Sequence, residues 1–137
     1  MAAKLWNIGV KVKDVDTDVA FFVALGGKLL MRERTATPAG EIDYAILAFG
    51  GTRLFLTPKT VFEEALSEPL QPGLTHVVFE VEDLAPEVAR MTALGTKVLL
   101  PPTEIAAKFG TRKIAFFRSP GGLVFEVMQI ISEGEHD

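Results

Sequence analysis

His76 is one of only two histidines in the chain, and it lies in a stretch, Thr75-His-Val-Val-Phe-Glu-Val-Glu-Asp83, whose residues alternate in character. Alternation at period two is the signature of a half-buried strand: Val77, Phe79 and Val81 share one face, and His76, Val78 and Glu80 the other. Glu126 makes a sharper demand. It sits among Leu123, Phe125 and Val127, and a carboxylate on the inward face of such a strand is costly without a cation or donor beside it. Its partner must be His76, a metal, a substrate group or a proton. An imidazole coupled to a carboxylate can also act as a general base, moving a proton next to a carbonyl. The other histidine, His136, falls in a polar tail and is expected to be solvated.

The elements that must position these groups come as a repeat. Asn7 to Asp14 reads like His76 to Asp83 at an offset of 69, and the match runs without a gap to Leu30 and Leu99. Nine of those 24 positions are identical, including Asp14/Asp83 before a helix and Gly26/Gly95 after it. The aspartates suit helix caps and the glycines the left-handed position that ends a helix. Helical spacing of Val19, Phe22, Val23 and Ala24, and of Val88, Met91 and Leu94, predicts faces packed on a sheet. Pro86 fits the first turn of the second helix.

Three extended segments follow each helix. They are Lys28 to Glu33, Glu41 to Phe49 and Thr52 to Thr57, then Lys97 to Leu100, Arg112 to Phe117 and Leu123 to Gln129. Pro38 to Gly40, Gly50-Gly51, Pro101-Pro102 and Ser119 to Gly122 read as turns between them. Each module is therefore βαβββ, spanning residues 5–58 and 74–130, with a connector over 59–73. Within the connector, Thr60-Val-Phe-Glu63 has the form of a capping box. Equivalent positions place Lys11 and Glu80 on the inward faces, where they can pair across the floor.

Composition bounds the partners. A length of 137 residues suits a single domain with one core. With 48% hydrophobic residues and a mean hydropathy of +0.28, there is apolar material for that core and for a subunit interface. The net charge of −4 comes without a basic stripe, which argues against nucleic acid. No cysteine means no disulfide or thiolate site. The opening residues lack an apolar leader and no run suits a membrane helix, so a cytoplasmic protein is expected.

Paired βαβββ modules, His76-Val-Val-Phe-Glu-Val-Glu-Asp83 and the closing Ser119-Pro-Gly-Gly-Leu-Val-Phe-Glu-Val127 resemble the vicinal oxygen chelate superfamily of glyoxalase I, bleomycin-resistance proteins, extradiol dioxygenases, fosfomycin-resistance enzymes and methylmalonyl-CoA epimerase. The resemblance runs from about Leu5 to Gln129. It implies an α+β fold in which two tandem modules form a curled, cup-shaped mixed sheet with helices on the outer face. In catalytic members a divalent metal sits in the cup, held by the first residue of each module's opening strand and a carboxylate in each last strand. Carried over, those four corners are Asn7, His76, Phe55 and Glu126. His76 and Glu126 keep the pattern; Asn7 and Phe55 depart from it.

A firm metal site takes three or four protein groups. Two good ligands and a weak amide oxygen from Asn7 allow zinc, nickel, manganese or iron to be weakly held at most, and no tightly bound metal is expected. Strand parity also turns Arg53 inward, where its planar fork suits a carboxylate or phosphate. Phe109-Gly-Thr-Arg112 precedes an inner strand where proteins of this resemblance often have substrate-contacting loops, which makes Arg112 a ligand-binding candidate beside Phe117; Phe116, Phe117 and Met128 supply apolar surface, as cup wall or as core. The expectation is a protein that holds a small, partly apolar molecule in the cup, as a two-fold homodimer. The alternative is a metal-dependent lyase, isomerase or dioxygenase using His76 and Glu126 with Asn7.

Overall fold

The computed structural model describes residues 2–134; His136 lies outside them. The chain runs β1 (Lys4–Lys11), α1 (Val15–Ala24), β2 (Lys28–Thr37), β3 (Gly40–Phe49), β4 (Thr52–Thr57), a 3-10 turn (Glu63–Ala65), β5 (Gly73–Val81), α2 (Leu84–Ala93), β6 (Lys97–Ala107), β7 (Gly110–Arg118) and β8 (Val124–Glu133). This is βαβββ twice. All eight strands join one mixed sheet in the order β2-β3-β4-β1-β5-β8-β7-β6. Antiparallel pairing of β1 with β5 puts the module junction at its centre.

Both modules therefore build the cup within one chain. The sheet curls until its edge strands β2 and β6 meet, where Thr35 Oγ1 donates to the Ala106 carbonyl at 3.1 Å and Lys108 Nζ lies 2.8 Å from Glu33 Oε1. The inner face carries Trp6, Tyr44, Ile46, Phe62, Val78, Phe109, Ile114, Phe116 and Met128 in one buried cluster. Two further clusters cover the outer face under the helices.

Local sequence explains the helices. Asp14 accepts from the Thr17 amide at 3.1 Å and caps α1. Its counterpart Asp83 makes no such bond; Gln129 Oε1 accepts from the Leu84 amide at 2.9 Å instead. Gly26 and Gly95 take φ of 102° and 89°, as the sequence predicts for helix ends. The helix faces are narrower than expected. Val15, Val19 and Phe22 pack on the sheet from α1, and Leu84, Val88 and Met91 from α2. Val23, Ala24 and Leu94 are exposed, because at 100° per residue they rotate off those stripes.

Two other expectations change. Pro101 and Pro102 do not end a strand: β6 runs through them, with a register shift between Leu100 and Thr103. An edge strand can absorb residues that lack a donor by bulging there. The capping box is half formed. Glu63 Oε1 accepts from the Thr60 amide at 2.8 Å, but Thr60 Oγ1 is buried without a partner, and only one 3-10 turn follows.

Candidate functional site

Strand register assembles the four corners. β1 pairs parallel with β4, setting Gly9 opposite Phe55, two residues after Asn7. β5 pairs parallel with β8, setting Val78 opposite Glu126, two residues after His76. Across the centre, Gly9 faces His76 and Asn7 faces Val78. The two halves repeat one another about that centre, and Asn7, Phe55, His76 and Glu126 all line one cavity of about 70 Å³.

Gly9 makes room for the imidazole, since a Cβ there would meet His76 Cε1 at 2.3 Å. The ring is edge-on to Phe62, with centroids 5.2 Å apart, and to Phe116 at 5.1 Å. Its Nδ1 lies 2.8 Å from Thr75 Oγ1, and its Nε2 lies 3.4 Å from Glu126 Oε1. These side chains are only 7% and 12% exposed, so a charge on either would be poorly screened.

The other corners differ in kind. Phe55 lies flat against Tyr44, centroids 4.9 Å apart at 11°, and cannot coordinate. Asn7 is 3% exposed, and its Oδ1 is enclosed without a hydrogen bond. Among the described residues no three of His, Cys, Asp and Glu cluster as metal ligands would. The 3.4 Å between His76 and Glu126 is a span that two ligands at ~2.0–2.2 Å from one ion can subtend. The remaining corners supply only an amide oxygen. This donor set does not fit a firmly held resident metal.

Other residues singled out from the sequence are dispersed. Lys11 and Glu80 do not pair. In antiparallel strands equivalent positions fall at opposite ends, so Lys11 lies opposite Gly73 and Glu80 opposite Lys4. Lys11 Nζ instead meets Glu63 Oε2 at 3.0 Å. Burial alone would push the Glu63 carboxyl up, but the Thr60 amide and Lys11 more than offset it and hold it below its ordinary 4.5. Arg53 stands over Trp6, 5.0 Å from its centroid, donates to the Trp6 carbonyl at 3.3 Å, and lines an outer groove with Leu25 and Phe49. Phe117 is on the wrong face for the cup: it is fully buried against Phe125 and Val127 under α2, and Phe116, one residue away on the alternating strand, lines the cavity instead.

Arg112 does reach the cavity wall. It is 1% exposed, and its guanidinium donates to the Phe109 carbonyl at 2.8 Å and the Ser132 carbonyl at 2.9 Å, while its Nε has no partner. Trp6 and Phe109 flank it at 5.7 and 5.3 Å. Burial lowers its pKa, with Glu133 and Glu80 opposing the shift.

Several contributors lie outside the residues that the pattern singles out for the site. Trp6 joins the inner face although it neighbours Asn7, because a register shift between Leu5 and Asn7 makes it an extra residue on β1. Thr60 and Val61 line the cavity, and Phe62 closes on it from the connector, 1% exposed. Gly9 offered a signal, since a glycine inside a strand often marks close approach of another group.

Repeated βαβββ modules forming a cup over paired corner residues define a fold of the vicinal oxygen chelate type. The chain belongs to the Glyoxalase/Bleomycin resistance protein/Dioxygenase superfamily, whose family model matches residues 6–116. No curated protein matches it in sequence. Among solved structures it resembles a methylmalonyl-CoA epimerase in complex with methylmalonyl-CoA and NH4+, at 20% identity and a TM-score of 0.75 over 98% of this chain and 99% of that one. A hypothetical protein from Bacillus halodurans gives 20% identity and 0.71 over 99% and 100%. A variant of 4-hydroxymandelate synthase from Streptomyces coelicolor gives 19% and 0.69 over 98% of this chain and 51% of that one. At these identities the structural likeness establishes the fold.

Proposed function

We propose that this protein binds a small, partly apolar molecule in the cup and does so without a complete metal site. The observation that carries this reading is the cavity lining: Trp6, Phe55, Phe109, Phe116, Ile114 and Met128 form apolar walls around His76 and Glu126. Few, well-placed polar groups in an apolar recess are what a small-ligand site needs. The structural neighbour bound to methylmalonyl-CoA supports small-molecule binding as the role of this fold. The test is a ligand screen by two-dimensional NMR. Binders should perturb the resonances of His76 and Phe116; hits that perturb only outer residues would end this reading.

A second reading rests on Asn7, whose enclosed and unpartnered Oδ1 is available as a weak third ligand. A divalent ion on His76, Glu126 and Asn7 would support lyase, isomerase or dioxygenase chemistry. Calorimetric titration with zinc, nickel, manganese and ferrous iron separates the two. Binding tighter than ~1 mM, about 4 kcal/mol, favours the metal reading.

A two-fold homodimer in the cytoplasm completes the proposal. Among the described residues no helix is long and apolar enough to cross a membrane. Exposed apolar residues recur at equivalent positions of the two modules, Leu5 with Leu74, Leu25 with Leu94 and Leu29 with Val98, and they favour a subunit interface. Light scattering after size-exclusion chromatography should give twice the chain mass.

A further inference from the structure

The polar groups of the cup are unevenly committed. Cations at or beside it are engaged within the protein: Lys11 with Glu63 at 3.0 Å, Lys59 with Glu64 at 3.1 Å, Arg53 on the Trp6 carbonyl, and Arg112 on the Phe109 and Ser132 carbonyls, with the Nε of Arg112 left over. The acceptors are not. Glu126, 12% exposed, accepts no hydrogen bond from any described residue, and His76 Nε2 stands 3.4 Å away without an aligned bond. Asn7 Oδ1 belongs to a side chain only 3% exposed that lines the same cavity, and it has no partner.

Leaving a buried polar atom unsatisfied is costly, and more so when it is charged. A ligand that donates hydrogen bonds can satisfy Glu126 and Asn7 Oδ1 together. A ligand carboxylate or phosphate would instead meet the Glu126 carboxylate, and the single N–H left at Arg112 Nε cannot offer it the paired donors of a free guanidinium. Size adds a bound. At about 70 Å³ the cavity is roughly half the ~150 Å³ that admits benzene, which leaves room for a headgroup and a few apolar atoms. Aromatic walls from Trp6, Phe109 and Phe116 also favour a cationic head over an anionic one.

We propose that the cup selects a compact molecule headed by a hydrogen-bond donor, an organic amine matching it best and a carboxylate worst. This rests on the cup-binding reading above. The experiment uses three molecules of one shape, isobutylamine, isobutanol and isobutyrate, titrated into the full chain by calorimetry at fixed ionic strength, with xenon-perturbed NMR spectra as a separate probe of the cavity. The expected ranking is amine, alcohol, carboxylate, with at least tenfold between the first and last. Glu126→Gln should collapse that ratio; if this variant does not fold, the wild-type ranking decides alone. Isobutyrate binding as tightly as isobutylamine overturns the donor proposal and leaves cup binding standing. So does the failure of all three while xenon enters beside Phe116. If xenon is excluded as well, the cup-binding reading falls with it.

Discussion

His76 and Gly9 face each other across the antiparallel β1–β5 pair so closely that a methyl group on Gly9 would lie 2.3 Å from the imidazole Cε1. The histidine of one module occupies space that the glycine of the other leaves open. Gly9→Ala must therefore displace the ring from Glu126 and from Phe62. The expected outcome is a loss of about 1–3 kcal/mol, as for other overpacked interiors, together with shifted His76 ring resonances. Denaturant unfolding and imidazole NMR check both; unchanged ring resonances would show that the contact yields elsewhere.

Phe62 joins the connector to the site, its ring 4.8 Å from Phe116 and 5.2 Å from His76. Phe62→Ala should cost about 3–5 kcal/mol for lost burial and the space left behind. The same change enlarges the cavity, so larger apolar ligands such as benzene should bind the variant more tightly than the wild type. Calorimetry of benzene binding, beside the unfolding curve, separates this gain from simple loosening.

Acid should weaken the fold through two carboxylates. Arg32 holds Asp43 below its ordinary 3.8, and the Thr60 amide and Lys11 hold Glu63 below 4.5. A carboxyl depressed in the folded state contributes stability that is fully present above its unfolded value and is lost as pH falls through its lower folded value. Unfolding midpoints should therefore drop as pH is lowered below about 4.5. Lys11→Met removes one cause of the Glu63 shift and should flatten the drop, as midpoints measured between neutral pH and pH ~3 would show.

Asn7 and Phe55 mark what a metal site lacks. The variant carrying Asn7→His and Phe55→Glu presents two imidazoles and two carboxylates at the four corners. Zinc or manganese should bind it in the micromolar range or tighter, whereas the wild type should bind neither more tightly than ~1 mM, a gain of about 4 kcal/mol or more. Calorimetry with each metal decides; equal affinities would mean the corners do not converge on one point.

Much of this molecule was legible in its alternation and its repeat. The offset of 69 between Asn7 and His76 reflects one module folded twice, and strand alternation correctly turned His76, Val78 and Glu126 toward one cavity. Phe55 and Glu126 stand 71 apart rather than 69, because the second module's turn carries two extra residues, and the parallel β1/β4 and β5/β8 registers give both residues the same place. These features are local or periodic, and period two is fixed by backbone geometry.

The misplacements arose where a pattern meets a neighbouring strand. Lys11 and Glu80 occupy equivalent positions in sequence, yet antiparallel pairing of the modules separates them to opposite ends of the sheet's centre. Trp6 entered the cup because β1 bulges, and Phe117 left it because its neighbour Phe116 faces inward. The connector's role was equally hidden, since Phe62 reaches His76 only once β5 has paired with β1 and the sheet has curled. By itself the sequence determined the modules, their family resemblance and the four corner residues, because these follow from spacing along the chain. Only the tertiary structure decided which charges were already spent on the protein and which acceptors were left in the cavity, because those contacts join residues far apart in sequence.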